Sequence, residues 1–98
     1  MHWRGRRGYD SIVQSVSGMA HASRDAHGKP NLLPVSAIDY VSGYLLAFGA
    51  LVALERRSRE GGSWLVELAL ARVGRWIVDR GLIAEEAMRD VPADLLDA

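Results

Sequence analysis

The sequence predicts a mainly helical α/β fold, and three observations predict it. An uncharged apolar run extends from Tyr40 to Leu54, long enough for several helical turns. Apolar residues recur at helical spacing in shorter stretches on either side of it. One stretch only, SWLVEL at 63–68, alternates as a half-buried strand does. Helices are expected near 9–17, 38–59, 69–80 and 84–97, with one short strand near 63–68. The chain of 98 residues has room for one small domain.

The first helix rests on Tyr9, Ile12, Val13 and Val16, which fall at i, i+3, i+4 and i+7. Gly18 follows at a position suited to a left-handed cap. The next segment, AHASRDAHGKPNLLPVSA, holds Gly28, Pro30 and Pro34 without a period and reads as a long loop. Asp39 opens the main helix, where an acidic side chain can accept bonds from the first-turn N–H groups. Arg56, Arg57 and Arg59 stand at the opposite, negative end of the helix dipole.

This helix is apolar on nearly every face. Tyr40, Tyr44, Phe48 and Leu51 form a stripe of large residues, and Gly43, Ala47 and Ala50 a stripe of small ones. A helix apolar all round is enclosed by other elements, and this chain offers few, so a partner or a further portion of protein is expected to cover it. Glycines at 43 and 49 suggest close approach of another backbone, since each costs up to about 1 kcal/mol against Ala in a helix interior. Gly61 and Gly62 end the helix, and the strand-like stretch follows. From Ala69 the helical period returns, with Leu70, Val73, Trp76 and Ile77 facing one way and Arg72, Arg75 and Asp79 the other. Gly81 is a credible cap. Ala84, Met88, Val91 and Leu95 keep a weak helical register beyond it.

Composition narrows the function classes. Net charge is zero, which removes the overall electrostatic argument for nucleic acid or an anionic membrane as partner. There is no cysteine, so disulfides and thiolate chemistry are excluded and a cytoplasmic setting is permitted. No apolar segment follows the basic residues of MHWRGRRGYD, as a secretory signal would require. The Tyr40–Leu54 run falls short of the roughly 20 residues of a membrane span, so no membrane element is expected.

Most polar candidates have ordinary readings. His21 and His27 flank a turn without a second ligand at metal-binding spacing, so no metal is expected. Ser11, Ser15 and Ser17 lack a nucleophile elbow and read as helix-surface residues. Neither phosphate-binding glycine motif is present. ARVGRWIVDRGLIAEEAM could pass for part of a helix-turn-helix, but the neutral charge argues against reading DNA. Asp39 has two compatible readings: helix cap, or a carboxylate nucleophile or base tuned by its apolar surroundings.

The order of motifs adds a resemblance. G-Y-D-x-x-V-Q-x-x-S-G from Gly8, then a Gly/Pro loop, then D-x-x-S-G from Asp39 before an apolar helix, then a glycine turn, resembles the family III coenzyme A transferases. That family includes formyl-CoA transferase and the carnitine CoA-transferases. The resemblance covers about Arg4 to Ile77. It implies that Asp39 is the catalytic aspartate, attacking an acyl-CoA thioester to give a covalent intermediate. It implies that Arg7 lies near bound CoA, where a cation meets phosphate, and that Tyr9 is an aromatic residue of the same site. The related α-methylacyl-CoA racemases carry His at the Tyr9 position. Tyr does not readily exchange an α-proton near neutral pH, so the resemblance favours a transferase over a racemase.

Family members are several times longer. The resemblance thus implies that residues 1–98 form a single fragment lacking most of the CoA-binding domain, inactive alone, and homodimeric in the full-length context. Its substrates would be an acyl-CoA and a carboxylic acid, with no metal. The rival reading from another class is a non-catalytic helical module that associates with itself through Tyr40–Leu54.

Overall fold

A computed structural model describes residues 5–81. Four helices follow in order: α1 (Asp10–Val16), α2 (Met19–Ala22), α3 (Ala37–Glu60) and α4 (Leu70–Asp79). The predicted helix near 84–97 lies outside the described residues. No strand occurs among the described residues, which corrects the expectation at 63–68. That segment is extended but unpaired, because no second strand lies beside it to take its backbone groups. It runs back along α3 as a leg, and Val66 fits where Gly49 leaves space: a Cβ on Gly49 would lie 2.7 Å from Val66 Cγ1. The alternation in SWLVEL thus reflects packing on a helix, not pairing in a sheet.

Local chemistry accounts for the helix ends. Gly18 (φ 87°) separates α1 from α2 with a left-handed residue that a side chain would strain. The single turn of α2 begins at Met19 and takes up the first three residues of the segment read as loop. Beyond it, Asp25 organises the chain: its Oδ1 accepts the N–H groups of His27 and Lys29, each at 2.9 Å. The N-cap of α3 is Ser36, not Asp39, which sits in the first turn of the helix. At the far end Arg59 pairs with Glu55 one turn back. The N–H of Gly61 (φ 71°) then closes on the Arg57 carbonyl at 2.8 Å. In α4, Arg75 pairs with Asp79 at 2.9 Å, and the Arg80 guanidinium lies 4.9 Å from the Trp76 ring centre.

The core gathers between α1, α2, α4 and the start of α3. Val13, Met19, Ile38 and Val73 are buried there, flanked by Leu33, Val41, Leu45 and Ile77. Ile38 has no exposed surface. Gly74 brings α4 close: a Cβ there would stand 3.2 Å from Ile38 Cδ1 and 3.3 Å from Ser17 Oγ. The rest of α3 projects from this cluster, with Tyr44, Phe48, Leu51 and Leu54 exposed. At 24 residues α3 extends past the apolar run at both ends. By length and composition alone the whole helix could cross a bilayer, although the uncharged run within it is still only Tyr40–Leu54. Its first turns, however, are part of the core, through Ile38 and Ser42.

Candidate functional site

The site is built from the junction of α1, the 31–36 segment and the first turn of α3. The helical spacing in α1 pointed to Tyr9, Ile12, Val13 and Val16 as one face. The structure buries Asp10, Val13 and Gln14 instead, and leaves Tyr9, Ile12 and Val16 exposed. The polar pair is buried because its donors and acceptors are matched. Gln14 Nε2 donates to Asp10 Oδ1 and to the Val35 carbonyl (3.2 Å), while Gln14 Oε1 accepts the Leu33 N–H at 2.8 Å. The remaining carboxylate oxygen, Asp10 Oδ2, accepts the backbone N–H of Asp39 at 2.8 Å. That N–H is one of the first-turn donors that has no partner within its own helix, so Asp10 caps α3 from another element.

Asp39 therefore does not cap by its own side chain. Its carboxylate is exposed and has neither an ion pair nor a hydrogen-bond partner among the described residues. It stands between two open clefts. One, of about 600 Å³, is lined by Ser36, Asp39, Tyr40, Gly43, Tyr44 and Ala47. Its floor is the small-residue stripe at 43 and 47, one and two turns beyond Asp39, and its walls are the two tyrosines. The other, of about 390 Å³, runs along the 32–36 segment and includes both Tyr9 and Asp39. The positive end of the α3 dipole lies beside the Asp39 carboxylate and favours negative charge there.

Of the three residues singled out in the sequence, Tyr9 and Asp39 thus share a cleft. Arg7 is exposed in the segment before α1 and lines neither cleft. His21 and His27 are both exposed, and no His, Asp and Glu group among the described residues could hold a metal ion. Asp10 and Gln14 escaped notice as a functional pair. The available signal was two polar residues at i and i+4 flanking Val13.

What the arrangement offers chemically is a carboxylate, unpaired among the described residues, at the mouth of an apolar, aromatic-walled cleft. A carboxylate so placed can attack an acyl carbon or take a proton. Comparison with known proteins supplies the context. The profile of CoA-transferase family III matches residues 2–96. A protein of Mycobacterium tuberculosis named as a probable fatty acyl-CoA transferase is 35% identical over 65 residues, 66% of this chain and 16% of its own length. An acyl-CoA transferase of Fusarium pseudograminearum is 31% identical over 68 residues, 69% of this chain and 15% of its own. The chain thus spans only a small part of the length of these curated relatives. No solved structure matches.

Proposed function

Because the chain belongs to CoA-transferase family III, we propose that it is the nucleophile-bearing segment of an acyl-CoA:carboxylate CoA-transferase, with Asp39 as the nucleophile. One observation carries the reading: the Asp39 carboxylate is unpaired among the described residues and borders a cleft lined by aromatic residues. An Asp39 oxygen attacks the thioester carbonyl carbon of the donor acyl-CoA. The C–S bond breaks and CoA leaves as thiolate, giving a mixed anhydride. The thiolate then attacks the aspartyl carbonyl and the donor acid departs as carboxylate, leaving an aspartyl-CoA thioester. The acceptor carboxylate repeats the exchange in reverse order and regenerates Asp39. Each step substitutes at an activated carbonyl, which divides one difficult transfer into easier ones.

In this reading Tyr9 lines the acyl end of the site. Arg7 meets a CoA phosphate once the remainder of the CoA-binding domain is present, and the segment is inactive without it. The enzyme is a cytoplasmic homodimer that needs no metal. The racemase reading is weakened by Tyr9, a poor proton carrier near neutral pH where the racemases carry His.

The test is made on the full natural product of the gene. It is incubated with octanoyl-CoA and hydroxylamine, digested and examined by mass spectrometry. A hydroxamate on Asp39, lost in Asp39→Asn, is the expected result. Exchange of the α-proton without any hydroxamate would favour the racemase, and neither reaction would leave the self-associating helical module.

A further inference from the structure

We propose that Asp10 and Gln14 form a positioning clamp for Asp39, an inference that rests on the nucleophile reading of that residue. Both side chains are nearly fully buried, at 5% and 2% exposure, although neither is apolar. A buried carboxylate and amide are retained only where each atom has a partner, and here every partner belongs to the wall of the site. Gln14 holds the backbone on both sides of Pro34, at the Leu33 N–H and the Val35 carbonyl. Asp10 holds the first turn of α3 at the Asp39 N–H itself. The backbone of the reactive residue is thereby tied to α1 by a charge-assisted bond, and its own side chain stays free for chemistry. Had Asp39 capped its own helix, its carboxylate would have been occupied. The clamp separates the two tasks and assigns the capping to Asp10.

The polarity of the pair makes the inference testable. In Asp10→Asn the new amide group faces the Gln14 amide, donor against donor. In Gln14→Glu two carboxylates face one another. In the double variant the order is reversed and restored. The new amide at position 10 donates to the new carboxylate at position 14, and its oxygen accepts the Asp39 N–H. The carboxylate at position 14 still accepts the Leu33 N–H. Only the Val35 carbonyl loses its donor.

The experiment reads two quantities on the full natural gene product. One is hydrogen–deuterium exchange at the Asp39 amide, resolved by fragmentation in the mass spectrometer. The other is the rate of hydroxamate formation against octanoyl-CoA concentration. Each single variant is expected to speed the exchange, and to slow trapping at saturating octanoyl-CoA, by about tenfold or more. The half-saturating concentration should stay unchanged, and the double variant should recover most of both losses. Far-ultraviolet circular dichroism checks that each variant is folded. Exchange at Asp39 unmoved by Asp10→Asn in a folded protein overturns the clamp, as does slowed trapping in the single variants without recovery in the double. If the parent protein forms no hydroxamate, the nucleophile reading fails. The exchange measurement then decides the clamp by itself.

Discussion

Ser42 and Gly43 are neighbours on α3 with opposite surroundings. Ser42 is buried, and its hydroxyl has no hydrogen-bond partner among the described residues. A desolvated, unpaired hydroxyl costs on the order of 1–3 kcal/mol, and Ala has the better helix propensity. Ser42→Ala should therefore raise unfolding free energy by about 1 kcal/mol, read as a higher urea midpoint at constant slope. A Cβ on Gly43 meets nothing within 4 Å and points into the open cleft. Gly43→Ala should stabilise the helix by up to about 1 kcal/mol. In the full gene product it should also slow hydroxamate formation at Asp39 by narrowing the cleft floor. A more stable protein with unimpaired trapping would show that the cleft does not receive the acyl group. The pair thus distinguishes a position where the sequence accepts a cost inside the core from one where the missing side chain leaves room for a ligand.

At the scale of elements, the leg from Gly61 to Ala69 depends on α3 for its path. Val66 is stiff at χ1 and stands against Gly49, so the side chain has little freedom to yield. Gly49→Ala should push the leg off the helix despite the better helix propensity of Ala. Val66→Ala should be mild, and the double variant should recover what the Gly49 substitution lost. Thermal unfolding of the four proteins in a double-mutant cycle measures this coupling, expected at about 1 kcal/mol. Additive effects would mean that the leg does not pack there.

The same elements show what was legible beforehand. The long helix could be read from Tyr40–Leu54 because an uncharged run closed by arginines leaves few alternatives. Alternation in SWLVEL records which side of an extended segment is covered, not whether a second strand covers it, so it signals a strand that is absent among the described residues. An acidic residue before an apolar run is the usual cap signal, and it points to Asp39. The observed cap comes from Asp10, 29 residues earlier, and local spacing carries no information about such a partner. Tyr9 and Asp39 could be paired through motif order, but the burial of Gln14 required the fold.

For the molecule as a whole, the dominant feature among the described residues is α3, whose outer turns leave Tyr44 78%, Phe48 67% and Leu51 66% exposed. Apolar surface of this extent along one helix is seldom left open to water in a soluble protein. In the relatives, most of the length lies outside the matched segment, so additional structure is available to cover such a face. The isolated 98-residue chain has only other copies of itself. It should associate through this face, giving a sedimentation-velocity profile that shifts with concentration. Phe48→Lys with Leu51→Lys should abolish the shift, yet the buried residues Val13, Ile38 and Val73 are untouched, so helical circular dichroism should persist. If α3 were instead a membrane element, the unmodified chain would float with neutral phosphatidylcholine vesicles. We expect it to stay in the aqueous fraction, because Ile38 and Ser42 hold the start of the helix inside a protein core. Concentration-independent sedimentation as a monomer would show that the exposed stripe needs no partner, and would remove the main physical argument that this segment works within a larger assembly.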